Sequence, residues 1–352
     1  GDDTDRSGQT TARGMGSARA VENQIPGNKK VPRFTHHFRA ITDLVYIPLY
    51  NFVITASKDC TAKVWDLKRN QLVNQMKGAT KPFNSLAVRN SQQYLLTACD
   101  DHNLLLWGMP GGNEEAMLVG HDRSVLSCSF SPNGNLAASG SKDCEVRIWN
   151  MEDLEGGVCR TMHQYQGHTA PVTSIAYDNS GDFLLTASRD YTVRLWSTES
   201  TTLMTIFNQH EGPVSSVKYS HDNSYIVSTS HDGYIRLFDS RVTNLSTMLT
   251  LPVAQTLPIN TVDIHPTDIN ELLITSEDSV QLYDIRKPTH AAEEAYFDGH
   301  ASMTCAKYCR FGNDQDGGVI ICGDSGGRVY VLDAMPTLDT CKRMPLGSLM
   351  KK

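Results

Sequence analysis

Seven times along the chain, an alternating run of apolar and polar residues ends on a large apolar residue followed by a small or polar one. The pairs are Trp65-Asp66, Trp107-Gly108, Trp149-Asn150, Trp196-Ser197, Phe238-Asp239, Tyr283-Asp284 and Leu332-Asp333, separated by 42, 42, 47, 42, 45 and 49 residues. A repeat of this length constrains the fold more than any other feature. Each repeat is one small supersecondary unit that cannot bury its own faces, so neighbours must stack to make a core.

Counting back 28 residues from the first six aromatics lands on His37, Ala79, His121, His168, His210 and Gln255, while Leu332 stands 32 residues after His300. The four extra residues fit Gly312 to Gly318, GNDQDGG, and the surplus of the 47-residue interval falls near Glu152 to Gly157. Both stretches are turn-rich, so the insertions are expected in loops. Within the third repeat, VLSCSF (Val125 to Phe130) leads through the turn SPNG to NLAASGS, then through a turn around Asp143 to EVRIW. A fourth strand follows each aromatic, as QLVNQM (Gln71 to Met76) follows Trp65. Period-2 patterning and turn chemistry agree on four short strands per repeat, and no helical periodicity competes.

These in-phase matches resemble the WD-repeat β-propeller family over about residues 31 to 344. The resemblance implies an all-β fold, a seven-bladed propeller of four-stranded antiparallel blades. Residues 1 to 30, poor in large apolar side chains, read as a disordered N-terminal tail, and 345 to 352 as a C-terminal tail. The resemblance also implies a buried hydrogen-bonded tetrad in each blade: a loop His, a Ser or Thr, a turn Asp and the Trp. The first repeat supplies His37, Thr55, Asp59 and Trp65; the third His121, Ser139, Asp143 and Trp149; the fourth His168, Thr186, Asp190 and Trp196. The second has Thr97, Asp101 and Trp107 but Ala79 for His. The fifth has His210, Ser228 and Asp232 with Phe238, and the sixth and seventh lack the set, which leaves their local rigidity open. His, Ser and Asp are also the ingredients of a hydrolytic triad, but a catalytic group occurs once, in a cleft with an oxyanion hole. Recurrence from repeat to repeat marks these residues as scaffold.

A propeller must join its first and last blades to hide their edges. VPRF, Val31 to Phe34, is expected as the outer strand of the seventh blade, in preference to TCKRM, Thr340 to Met344.

Composition narrows the function. Hydrophobic residues make up 39% and charged residues 20%, and the net charge of -7 argues against direct nucleic-acid binding, which needs a basic excess. No run approaches the roughly 18 apolar residues of a membrane helix. The nine cysteines are scattered and read as reduced thiols of the cytoplasm or nucleus; Cys305 and Cys309 are too isolated for a zinc ribbon, so no metal is expected. No phosphate-binding Gly loop, HExxH or GxSxG is present. The expectation is a non-catalytic protein-interaction scaffold without a cofactor or small-molecule substrate, a subunit of a larger complex. Resemblance to the family places Lys58, Lys142, Arg189 and His231, each just before the turn Asp position, at the mouth of the central channel, with Lys81 and Arg123 in loops on the same rim. Such a basic collar suits an acidic or phosphorylated partner segment. The residues leading into the first strands, Ala40, Pro82, Ser124, Pro171, Pro213, Pro258 and Met303, offer no aromatic anchor. A second reading rests on FDSR (Phe238 to Arg241) and YDIR (Tyr283 to Arg286). These resemble the Trp-Asp-x-Arg box of substrate receptors in cullin-RING ubiquitin ligases, which makes Arg241 and Arg286 candidate adaptor contacts.

Overall fold

The alternating stretches form 28 strands in a computed structural model that describes residues 33–35, 37–67, 69, 71–152, 157–240, 247–253, 257–287, 293–296, 302–309 and 319–333. Strand β1 is Arg33–Thr35. Then come β2–β5 (Ile41–Ile47, Phe52–Ser57, Ala62–Asp66, Gln71–Met76) and β6–β9 (Phe83–Val88, Tyr94–Cys99, Leu104–Gly108, Asn113–Val119). They are followed by β10–β13 (Val125–Phe130, Leu136–Ser141, Val146–Asn150, Val158–Tyr165) and β14–β17 (Val172–Tyr177, Phe183–Ser188, Val193–Ser197, Leu203–Phe207). The rest are β18–β21 (Val214–Tyr219, Tyr225–Ser230, Tyr234–Asp239, Thr247–Pro252), β22–β25 (Ile259–Ile264, Glu271–Ser276, Ser279–Asp284, Glu293–Tyr296) and β26–β28 (Met303–Cys309, Val319–Asp324, Arg328–Asp333). No α-helix occurs among the described residues. The expected tails at 1–30 and 345–352 lie outside them, as do the Gly312 to Gly318 insertion and the alternative closing segment Thr340 to Met344.

Each run of four consecutive strands is an antiparallel meander. Burial falls outward along it: the second strand is buried on both faces, as in YIVSTS of β19, whereas the fourth alternates and is half exposed, as in QLVNQM of β5. The apolar clusters lie between meanders. One joins Ile54, Val64 and Met76 to Phe83, Leu95 and Trp107, and another joins Ile41, Leu44 and Trp65 to Cys305, Cys309 and Ile321 of the last meander. Each fully buried side chain of this kind contributes about 1.5–3 kcal/mol relative to exposure. The first strands pack in succession, β2 on β6, β6 on β10, β10 on β14, β14 on β18, β18 on β22 and β22 on β26, and β26 returns to β2. They surround a cavity of about 480 Å³.

The closing strand comes from the N-terminal side. Arg33, Phe34 and Thr35 pair antiparallel with Tyr330, Val329 and Arg328, completing the last sheet in the order β1-β28-β27-β26. Gly327, at φ +82°, makes this seam close, since an ideal Cβ there would lie 2.5 Å from the His37 carbonyl oxygen and 2.8 Å from that of Arg39.

One departure from separate four-stranded sheets concerns β13. Its first residues, Val158, Cys159 and Arg160, pair in parallel with Met117, Leu118 and Val119 of β9, fusing two meanders into an eight-stranded sheet. The surplus of the 47-residue interval is thus not all loop. Eight residues long against five in β17, β13 covers the backbone edge that β9 would otherwise expose.

A set of side-chain latches joins the first strands. Thr42 Oγ1 donates to the Phe83 carbonyl at 2.8 Å, Asn84 Nδ2 to Val125 at 2.7 Å, Thr173 Oγ1 to Val214 at 2.6 Å and Asn260 Nδ2 to Met303 at 2.7 Å. All four donors are the second residue of their strand, and all four acceptors are the first residue of the next meander's first strand.

Candidate functional site

Polar side chains come together in the buried tetrads, in the ring of loops above them and at the innermost strands. In the first meander His37 Nδ1 lies 2.8 Å from Asp59 Oδ2 and Nε2 lies 2.8 Å from Thr55 Oγ1, which accepts Trp65 Nε1–H at 2.9 Å. His121, Ser139, Asp143 and Trp149 repeat this at 2.8, 2.7 and 2.8 Å. His168, Thr186, Asp190 and Trp196 do so at 2.7, 2.8 and 2.9 Å. Proton placement follows from the indole, which only donates. The Ser or Thr oxygen accepts from Trp, its own O–H is then directed at Nε2, and Nδ1–H remains for the carboxylate. Burial lowers the pKa of His37, with Asp59 opposing, so the imidazole is neutral at pH 7. Burial alone would raise the Asp59 carboxyl, but hydrogen bonds from His37 and Thr61 hold it well below the usual carboxylate range; those from His121 and His168 do the same for Asp143 and Asp190.

Ser139, His121 and Asp143 have the internal order of a hydrolytic triad. Two facts separate them from one. The Ser139 oxygen is tied to the buried Trp149 indole, and Ser139 is 0% exposed, so no electrophile reaches it. The second meander keeps only Trp107 Nε1 to Thr97 Oγ1 at 3.0 Å. In the fifth, Phe238 packs against Phe207 with centroids 4.6 Å apart and the rings tilted by 47°, and Arg236 Nη1 donates to Asp232 Oδ2 at 2.7 Å beside His210.

Where the sequence reading finds no tetrad, other polar chains occupy the place. In the sixth meander Tyr283 Oη donates to Gln281 Oε1 at 2.9 Å, Gln281 Nε2 to Ser279 Oγ at 3.0 Å, and Ser279 Oγ lies 2.9 Å from Ser276 Oγ, all buried. In the seventh, Tyr330 Oη donates to Asp324 Oδ2 at 3.0 Å and the Arg328 amide to Oδ1 at 2.7 Å.

The loop face is stitched by one recurring bond. The amide before the turn Asp donates to the residue leading into the first strand: Lys58 to Ala40, Asp100 to Pro82, Lys142 to Ser124, Arg189 to Pro171 and His231 to Pro213, at 2.9 to 3.0 Å. Their side chains point off the face, and Lys58, Lys81, Arg123, Lys142, Arg189 and His231 are all exposed. Lys142 Nζ lies 3.8 Å from Asp100. Burial and the Arg189 guanidinium hold His231 below the usual histidine value, with Glu277 opposing. The Lys and Arg members are spread over the first to fourth meanders, interspersed with exposed Asp122, and Glu211, Glu277 and Asp278 are exposed on the fifth and sixth.

The face does carry aromatics, at positions one or two residues away from those surveyed in the sequence. Phe38 is 93% exposed and Tyr191 47%. Phe38 follows the loop His, where the third, fourth and fifth repeats place Asp122, Thr169 and Glu211; an alignment of the repeats on His37 marks it.

At the innermost strands a single carboxylate serves two ammonium groups. Asp263 Oδ1 pairs with Lys218 Nζ and lies 3.9 Å from Lys307 Nζ, while Oδ2 accepts the Tyr308 amide at 2.9 Å. Burial pushes Lys218 down to about 8, whereas Asp263 and Asp43 raise Lys307.

Arg286 Nε donates to Asp284 Oδ1 at 2.8 Å, and its Nη2 to Asp284 Oδ2 at 3.1 Å and Asp268 Oδ2 at 3.3 Å. Arg241 lies outside the described residues. Cys305 and Cys309 sit in the core, where burial pushes the Cys305 thiol up to about 12. No cluster of His, Cys, Asp and Glu suited to a metal ion occurs among the described residues, and none of their helices is long and apolar enough to cross a membrane.

A family model described as WD domain, G-beta repeat matches residues 28–66, 70–108, 112–150, 159–197 and 201–239. The sixth and seventh repeats, which carry Tyr283 in β24 and Leu332 in β28, lie outside these ranges. The chain is 31% identical over 154 residues to nuclear distribution protein nudF 1 of Talaromyces marneffei, covering 41% of this chain and 33% of that protein. To nuclear distribution protein PAC1 of Arthroderma benhamiae it is 32% identical over 134 residues, 35% of this chain and 28% of that one. To the DENN domain and WD repeat-containing protein SCD1 of Arabidopsis thaliana it is 31% identical over 119 residues, 34% of this chain and 10% of that one. The chain therefore spans about a third or less of the length of these relatives.

Proposed function

The chain belongs to the WD-repeat family, and from that premise we propose that it is a seven-bladed propeller working as a non-catalytic protein-interaction scaffold within a larger complex. Seven sets of four strands, the last completed by β1, support the blade count. The observation that carries the functional reading is the fate of its titratable residues. The His, Ser or Thr, and Asp side chains that resemble catalytic groups are closed into buried bonds under the loop face, and what reaches solvent there is a mixed set of charged side chains, Lys58, Lys142 and Arg189 among them on backbone-stitched turns. A stiff platform with charged loops is suited to holding a partner segment. Lys58, Lys81, Arg123, Lys142, Arg189 and His231 are the proposed contacts, for an acidic or phosphorylated segment. No nucleic acid, membrane or small-molecule substrate enters this reading. A cytoplasmic or nuclear setting is proposed with it, in keeping with relatives named for nuclear distribution.

The receptor reading is the weaker alternative, because Arg286 is engaged with Asp284 and Asp268 of its own sheet. Affinity purification from native extract, with mass spectrometry of retained proteins, separates the two. Wild type is compared with the Lys142→Glu, Arg189→Glu and the Arg241→Ala, Arg286→Ala double variants. A partner lost only with the first pair is the expected result. A cullin adaptor lost only with the second pair would replace the scaffold reading with the receptor one.

A further inference from the structure

The fully exposed Phe38 stands in a loop that is otherwise held on every side. Its amide donates to Asp59 Oδ2 at 3.1 Å, Ser57 Oγ donates to the Arg39 carbonyl at 3.0 Å, and the Lys58 amide donates to Ala40 at 2.9 Å. From the other side the left-handed Gly327 of the last blade presses against the His37 and Arg39 carbonyls. A side chain of this size exposed at 93% on so constrained a backbone has nothing of its own sheet to cover it.

Its surroundings are basic. Lys63 Nζ lies 5.8 Å from the Phe38 ring centroid, and Lys77 is close enough to help burial lower the Lys63 ammonium. Arg39, Lys58, Lys77 and Lys81 are exposed on this sector. The nearby carboxylates are Asp59, Asp100, Asp101 and, against Gly78 beside Lys77, the exposed Glu114. Asp59 is taken up by His37, Thr61 and the Phe38 amide, Asp100 by Asn84 at 2.8 Å and Lys142, and Asp101 accepts the Asn103 amide at 3.2 Å. Five cations against four carboxylates, three of them engaged, make a positive sector on a protein of net charge -7.

We infer that Phe38 is the apolar anchor of a docking site at the seam between the first and last blades. Its occupant is a carboxylate-rich, extended segment of a partner protein that carries one bulky apolar side chain. The inference rests on the loop-face reading and deepens it, since charge attracts such a segment and the aromatic selects its register. Apolar contact on a pre-ordered backbone adds affinity at little ordering cost, and the flanking cations raise the association rate. The collar of Lys142 and Arg189 alone supplies the second effect and not the first.

The test titrates the full chain into a fluorescein-labelled peptide of about ten residues, aspartate and glutamate around one central leucine, read by anisotropy. Saturable binding that weakens with salt is expected. Phe38→Ala should weaken it about thirtyfold, the size that defines an anchor residue, and Phe38→Leu should retain it. A peptide with serine for leucine should bind wild type as weakly as the leucine peptide binds Phe38→Ala. Phe38 is exposed, so thermal melting of both variants should match wild type. If Phe38→Ala binds like wild type while Lys142→Glu, Arg189→Glu abolishes binding, the anchor is overturned and the loop-face reading stands. No binding to wild type at low salt overturns both. If a synthetic peptide of residues 1–30 displaces the probe from wild type but not from Phe38→Ala, the occupant is the chain's own N-terminal segment and the partner proposal fails.

Discussion

Replacing Thr55 by Val isolates what the tetrad is worth, because one hydroxyl serves two buried groups. Thr55 is 0% exposed, Trp65 1% and His37 6%. Valine keeps the shape and removes the acceptor of the Trp65 indole and the donor to His37 Nε2 together. Each orphaned buried group costs about 1–3 kcal/mol, so Thr55→Val should destabilise by about 2–6 kcal/mol. The second blade provides an internal control. Thr97 is equally buried and takes the Trp107 indole at 3.0 Å, but Ala79 stands where a histidine would be. Thr97→Val should then cost only the single orphan, about 1–3 kcal/mol. Urea unfolding followed by far-ultraviolet circular dichroism reads both as shifts in midpoint multiplied by a common slope. A loss at Thr97 equal to or larger than that at Thr55 would refute the hydroxyl as a two-way hub. So would a loss at Thr55 below about 0.5 kcal/mol, which is smaller than one ordinary hydrogen bond.

Two further outcomes follow from the same physical terms. Asp263→Ala leaves Lys218 and Lys307 facing each other without their shared carboxylate, and a stranded buried charge typically costs about 3–5 kcal/mol. Burial holds Lys218 down to about 8 even with Asp263 raising it, so in the variant its pKa falls further and the loss should shrink as pH rises towards 8; a loss independent of pH between 6 and 9 would sink the assignment. On the acid side, His37 and His210 have pKa values below the ordinary one, so the unfolded chain takes up protons first and stability should fall as pH drops below about 6.5. The depressed carboxyls of Asp59, Asp143, Asp190 and Asp232 add a second loss below about pH 4, with the same sign. Melting temperatures that stay flat from pH 7 to pH 3 would contradict both.

What could be read in the sequence was whatever repeats with fixed spacing. The interval of 28 residues from His to Trp places the buried His, hydroxyl and Asp by count alone, and period-2 alternation with turn residues locates strands such as Val125–Phe130 and Gln71–Met76. What escaped was set by geometry that ignores side-chain type. The latches from Thr42, Asn84, Thr173 and Asn260 end on backbone carbonyls, which every residue has, so nothing at the acceptor position marks them. The parallel pairing of Val158–Arg160 with β9 is likewise a backbone match, hidden in a surplus that looked like loop. In the sixth blade a Ser, Gln and Tyr chain does the work of a His and Trp set with different residues at different intervals, which no count of the family spacing can find. Phe38 has a simpler reason: it stands two residues before Ala40, the position leading into the first strand, and outside the repeat's spacing signals.

The seam has a temporal consequence. Arg33 and Tyr330 are paired though nearly 300 residues apart in the chain. Closing a loop of that length in one step would cost about 5 kcal/mol of chain entropy, so the ring forms most readily blade by blade, with the seam last. At a synthesis rate of roughly 5 to 20 residues per second, β1 emerges roughly 15 to 60 s before its partner strand exists. For that interval two edges, one at each end of the nascent ring, are open to pairing with another chain. The protein is most exposed to misassembly while it is being made, at the same junction where the finished ring presents Phe38.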